Sequence, residues 1–247
     1  ERMRASLEAA GVPCHARSAV TAAQGRDGVR GATIASIDGD RARSIDCDAV
    51  LVSGGWSPAL HAGTQDGGRR VFHDEATGFV ASSQGGWRQV AGASAGAWEL
   101  GEVLAGGTAA GLAGAHRAGI ARPAEVAIEA IAADGDPPPR TEAYWRSPCA
   151  RHEEKRQFVD LQNDVTVADL RLALAEGFRD IEHVKRYTTL GVGTEQGRMS
   201  GTPGAAILAQ LRGEGLEGVG LSRLRPPFQP VTLRSIAGPR VGAALRV

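Results

Sequence analysis

The sequence is poor in residues on which several large protein classes depend. Aromatics make up only 4% of the 247 residues, which leaves little surface for stacking nucleic-acid bases. Lys and Arg total 28 and Asp and Glu total 28. With no net charge there is no global field to gather nucleic acid or an anionic membrane. The three cysteines, Cys14, Cys47 and Cys149, are odd in number, and their spacings fit no zinc or disulfide framework. They read as idle thiols in a reducing cytosol, so a cytoplasmic protein is expected. No run of about 18 apolar residues occurs, so no membrane span is expected. The opening ERMRASLEAAGV reads as an amphipathic helix without a signal-peptide core. It also lacks an initiator Met, so the chain is expected to begin within a longer protein. There is no Ser-His-Asp signature and no metal-ligand spacing, and no catalytic or metal-binding residue is assigned. His61 and His73 have no partners at ligand spacing.

Glycine, by contrast, is abundant at 34 residues, which points to tight turns and close backbone approach. The composition suits an α/β nucleotide-binding protein, with a ligand-free α/β domain as the plain alternative. Residues 1–10 read as a helix closed by Gly11. Short β-like runs follow at 12–20 and 29–38, with DGDRAR as a turn. SIDCDAVLVSGG then reads as a short polar strand followed by a buried one. A continuous apolar run ending in Gly54-Gly55 is how a parallel strand meets a ligand-facing loop. Residues 56–88 read as irregular. RQVAGASAGAWELGEVLAGGTAAGLAGAHRAG predicts a short strand, a small-residue turn and a long Ala/Gly-rich helix whose neighbours pack very close. GASAGAWELG is only a weak look-alike of the GxGxxG fingerprint, which is absent.

Residues 121–150 change character, with a candidate helix PAEVAIEAIAADG running into DPPPR, a stiff extended linker. A boundary is expected near residues 137–156. Beyond it the pattern predicts small helices. Thr166 is a good N-cap for VADLRLALAEG with Asp169 at the capping-box position, and Gly177 ends that helix. DIEHVKRY and TPGAAILAQLRG follow, the latter with Pro203 near its first turn. The segments divide as 1–120, a linker at 121–154, a helical domain at 155–215 and an extended Pro-containing tail at 216–247. Within HVKRYTTLGVGTEQGRMS, Lys185, Arg186, Thr188 and Thr189 place two cations and two hydroxyls within five residues. Such groups hold a phosphate. Cations at a helix C-terminus are also favourable without any ligand, by about 0.3–1 kcal/mol.

The first part, through DAVLVSGGWSP and VAGA, resembles the second half of the two-dinucleotide-domain flavoproteins of the glutathione-reductase type. The fold class this implies is α/β, a partial dinucleotide-binding fold followed by a small all-helical domain. By that resemblance Ala93 stands where the ribose-binding Asp would be, and Ala93, Trp98 and Leu100 fall at cofactor contacts, as do Gly54 and Gly55. Plain packing is the alternative for these residues.

The second part resembles the small helical domain that holds a [2Fe–2S] cluster in bacterioferritin-associated-ferredoxin-like proteins. DLQNDVT, KRYTTLG and EQGRMS keep its frame, but Asp160, Gln162, Glu195 and Ser200 stand where the four cysteines would be. Clusters are held by thiolates, so no iron–sulfur cluster is expected. The cysteine-free variant, with KRQFVDLQNDVTVADL, EGFRDIEHVKRYTTLGVGTEQGR and RPPFQPVTL, resembles the alpha subunit of heterotetrameric sarcosine oxidases. The resemblance implies NAD in the dinucleotide domain and FMN at the interface with a beta subunit, faced by Lys185, Arg186, Thr188 and Thr189. It implies FAD and tetrahydrofolate elsewhere in the complex, and gamma and delta subunits as further partners. The implied reaction is demethylation of sarcosine to glycine, with one-carbon transfer to tetrahydrofolate and peroxide formation. It further implies a fragment, inactive alone, that lacks the N-terminal dinucleotide half and the folate domain. Two other readings stand: a subunit of a related NAD/FAD-dependent amine or opine dehydrogenase, and a non-catalytic dinucleotide-binding or docking module.

Overall fold

The computed structural model describes residues 2–38, 42–64, 67–82, 88–120, 143–147, 151–225 and 231–239. The candidate helix and prolines of 121–142, Cys149, and residues 226–230 and 240–247 of the C-terminal tail lie outside them. The chain divides into two compact units, Glu1–Gly55 with Tyr144–Glu153, and Trp56–Ala143 with Glu154–Val247.

In the first unit α1 (Arg2–Ala9) is followed by Gly11 at φ +75°, as its sequence predicts. Three strands then form an antiparallel sheet: β1 (Ser18–Gln24), β2 (Gly31–Ser36) and β3 (Ala42–Asp46). The first strand lies later than the run at 12–20 suggested. The buried strand expected after β3 is absent. Residues 49–55 carry no strand partner, and Leu51 and Val52 are 92% and 88% exposed. A strand apolar on both faces needs neighbours and cover on both, and the described residues supply neither.

The second unit begins with a hairpin where the sequence reads as irregular, β4 (Arg70–His73) against β5 (Gly78–Ala81). Phe72 and Phe79 meet edge to face at 5.5 Å. Leu60, Phe79 and Ala81 make a small core, against which Val90, Leu216, Leu221 and Leu224 pack. The predicted strand at 88–91 is plain extended chain leading to a 3-10 turn, Gly92–Ala95. The long helix α2 (Leu100–Arg117) forms, but none of its residues is buried. A Cβ added at Gly106, Gly107, Gly111 or Gly114 would meet nothing within 4 Å. The close packing expected of this helix is therefore not made within the described residues.

The helices between 167 and 212 follow their predicted course, whereas the tail expected to be extended from 216 carries two short helices, Leu216–Val219 and Leu233–Ala237. β6 (Phe158–Asp160) pairs with β7 (Val165–Thr166), and α3 (Val167–Ala175) starts from the Thr166 cap. Asp169 Oδ2 accepts from Thr166 N at 2.8 Å and from its hydroxyl at 2.7 Å. Next come α4 (Ile181–Thr188), capped by Asp180, α5 (Gly201–Arg212), α6 (Leu216–Val219) and α7 (Leu233–Ala237). Leu170, Leu208, Val165, Val167 and Val184 fill the core, each worth roughly 1.5–3 kcal/mol of burial. Glu154, 3% exposed, takes a two-pronged ion pair from Arg171 at 2.6 and 2.5 Å. Among the described residues no helix is long and apolar enough to cross a membrane.

Candidate functional site

The four positions that stand where cluster cysteines would be are drawn together by three loops. β6 ends at Asp160, which is buried at 2% exposure. Its Oδ2 accepts from Gly191 N at 2.7 Å and from the Ser200 hydroxyl at 3.3 Å, and its Oδ1 accepts from Gln162 N at 2.9 Å and Asn163 N at 3.3 Å. Glu195 closes the next loop on itself, accepting from Gly197 N at 2.9 Å and Met199 N at 2.7 Å, and Ser200 also lies 3.3 Å from it. Gln162 Oε1 accepts from the Thr194 hydroxyl at 3.3 Å. The loops fit because Gly191 and Gly197, at φ +69° and +74°, cross backbone to backbone. A Cβ on Gly191 would come within 3.1 Å of the Gly197 Cα.

A carboxylate so surrounded is a closed anion site. Burial alone would raise the pKa of Asp160, but the N–H bonds from Gly191, Gln162 and Asn163 outweigh it and hold the carboxyl below its ordinary range. Backbone N–H groups here converge on an oxygen of the chain itself. Among the described residues no group of three or more His, Cys, Asp or Glu side chains is placed to hold a metal ion.

Lys185, Arg186, Thr188 and Thr189 share the C-terminal end of α4, and the structure sorts them. Lys185 has no ion-pair partner among the described residues. Arg186 is held by its own helix, donating to Glu182 O at 2.7 Å and lying 3.5 Å from its carboxylate. Thr188 donates to Val184 O at 2.8 Å, and Thr189 donates to Thr188 O at 2.5 Å. Thr189 caps the helix at φ +64°, a left-handed conformation that β-branched residues avoid and glycine normally supplies. An anion at this end would meet the negative pole of α4, so Lys185 and Arg186 would have to outweigh it.

Of the remaining sequence-predicted contacts Ala93 is half-buried and the others are exposed. Gly54 and Gly55 lie in the exposed stretch after residue 50, with Gly55 at φ +86° and open space around both. Ala93 sits in the 3-10 turn, and Trp98 and Leu100, 39% and 57% exposed, lie at the start of α2. His73 packs against the same turn, with its ring 3.4 Å from where a Gly96 Cβ would be. One pairing is not legible in the sequence: Arg198 Nε donates to His61 Nε2 at 3.2 Å, across 137 residues.

The fold is one seen in a dehydrogenase. The crystal structure of L-proline dehydrogenase from P. horikoshii matches 93% of this chain and 46% of that one, with a TM-score of 0.63 and 20% identity. Residues 154–239 match the family described as the sarcosine oxidase A3 domain. The sarcosine oxidase subunit alpha of Rhizobium meliloti (strain 1021) is 31% identical over 204 residues, covering 83% of this chain. Those of Corynebacterium sp. strains P-1 and U-96 are each 31% identical, covering 81% and 86% of it. The chain belongs to the sarcosine oxidase alpha-subunit family. It spans about one fifth of those relatives' length, covering 20% of the Rhizobium protein.

Proposed function

We propose that the chain serves as part of the alpha subunit of a heterotetrameric sarcosine oxidase. In this reading the complex oxidises sarcosine to glycine, passes the one-carbon unit to tetrahydrofolate and reduces oxygen to peroxide. The substrate and FAD belong to a beta subunit, with gamma and delta subunits completing the assembly. NAD belongs to the dinucleotide domain.

The observation that carries the reading is the closed network of Asp160, Gln162, Glu195 and Ser200. It matches a helical domain kept for its shape, with its redox chemistry supplied by cofactors bound elsewhere. The neighbouring end of α4 is then the surface offered to FMN. Bound there, the flavin would supply hydride-accepting chemistry. Lys185 would pair with its phosphate. The test is the FMN content of the complex assembled from the full-length subunit carrying Lys185→Ala or Arg186→Ala. A clear drop is expected, and larger for Lys185, because Arg186 is partly committed to Glu182. Unchanged flavin content overturns the assignment.

A second reading, a subunit of a related amine or opine dehydrogenase, draws support from the dehydrogenase fold neighbour. Peroxide formed in step with sarcosine consumption favours the first reading. Turnover only with an added electron acceptor favours the second.

A further inference from the structure

The second unit carries a partly open cavity of about 350 Å³, formed by residues outside both sets discussed above except for the loop at 196–198. Its walls are apolar, with Leu60, Phe79, Leu221 and Leu224 among its lining residues. One side is fixed by Arg70, whose guanidinium donates at 2.6 Å to the carbonyls of both Leu221 and Ser222. That arginine is spent on the backbone. Another side is polar and carries Gln196, Arg198 and Thr202, at and just before the first turn of α5.

The polar groups on that side are available. Arg198 Nε donates to His61 Nε2, but Arg198 makes no ion pair with a carboxylate among the described residues. Neither the Gln196 amide nor the Thr202 hydroxyl has a hydrogen-bond partner among them. Burial first, and then the Arg198 charge, hold His61 below its ordinary range against the opposing pull of Glu195. The imidazole is therefore neutral at pH 7 and accepts at Nε2, which fixes the Arg198 fork without competing for an anion. Glu195 is tied down by Gly197 N and Met199 N, and Glu182 by Arg223 N and Arg186. Gln196 stands at φ +59°, a left-handed position held by Gln196 N donating to Gly193 O at 2.9 Å. Strain of this kind collects at ligand sites. The start of α5 adds its partial positive charge.

One guanidinium bonded to a neutral imidazole and to no carboxylate among the described residues, two unpartnered polar groups and an otherwise apolar wall suit one class of molecule. We propose that this cavity binds a small monocarboxylate with an apolar body. The carboxylate meets Arg198 and Thr202, and the body lies on Leu60, Phe79, Leu221 and Leu224. A phosphate dianion would need a second free cation that the cavity lacks. A neutral molecule would gain no charge-assisted hydrogen bond from Arg198, which is exposed. The volume is at the lower end for small-molecule sites, roughly 300–1,000 Å³, and admits a six-membered ring with its carboxylate. The site does not depend on the flavin reading above.

Calorimetric titration of the chain with benzoate, benzamide and inorganic phosphate tests it, with amide chemical shifts of Gly197 and Thr202 locating the contact. Benzoate is expected to bind saturably, and benzamide and phosphate at least about tenfold more weakly. Arg198→Ala is expected to weaken benzoate by about tenfold or more, and Thr202→Val by less. Arg234→Ala, an exposed cation on α7, is expected to change nothing. The proposal is overturned by any of three results: benzoate fails to bind, benzamide or phosphate binds as well as benzoate, or Arg198→Ala has no effect.

Discussion

Asp160 has the environment of a bound anion, and its replacement should show that in the pH dependence of stability. Its folded pKa is depressed, so its contribution is present above the unfolded value of about 3.9 and is lost as pH falls through the folded pKa. Asp160→Asn is expected to lower stability at neutral pH and to flatten the acid limb below about pH 4. Urea unfolding midpoints measured from pH 7 to pH 3 check this. An unchanged acid limb would remove Asp160 from the centre of the network. Thr189 offers the opposite sign. At φ +64° it occupies a glycine position, so Thr189→Gly is expected to stabilise the chain by up to about 1 kcal/mol. Destabilisation in the same unfolding assay would mean that its methyl or hydroxyl packs favourably enough to offset the strain.

At the scale of elements, what could be read in advance depended on whether an element is completed by its own neighbours. The helices from 167 to 212 were legible because Thr166, Asp180 and Gly213 supply caps and stops within the segment, and their apolar faces meet each other. The β4–β5 hairpin escaped notice because its four-residue strands are too short to show alternation and Thr77 takes the left-handed turn position that glycine usually marks. The run at 49–55 was misread for a different reason. Its pattern asks for a sheet, and the described residues contain no strand paired with it. α2 has the same character, with small residues facing open space. Gly107→Leu is therefore expected to leave the thermal unfolding of this chain unlowered and to lower that of the full-length subunit. Paired melts decide it, and an equal drop in both would mean that α2 already packs within this chain. The helical core behaves conventionally. Leu208→Ala is expected to cost about 2–5 kcal/mol, and Arg171→Ala roughly 3 kcal/mol by leaving the Glu154 carboxylate buried without its partner, both read from urea midpoints.

For the whole molecule, sequence and structure divide the functional question between them. The frame of the cluster-like domain was legible in DLQNDVT, KRYTTLG and EQGRMS, because short loops fix the spacing of groups that end up within hydrogen-bond reach. The Arg198–His61 contact and the cavity beside it were not, because they join segments 137 residues apart that share no local pattern. The chain spans about one fifth of the length of its relatives, covering 20% of the Rhizobium protein, and leaves open surfaces at 49–55 and along α2. In the proposed function the end of α4 faces the flavin of an assembled sarcosine oxidase. Its most direct test is the FMN-to-protein ratio of the complex built with full-length subunit bearing Lys185→Ala, measured beside the unaltered complex. The account predicts a reduced ratio with assembly intact. A full complement of FMN in an intact complex would contradict it.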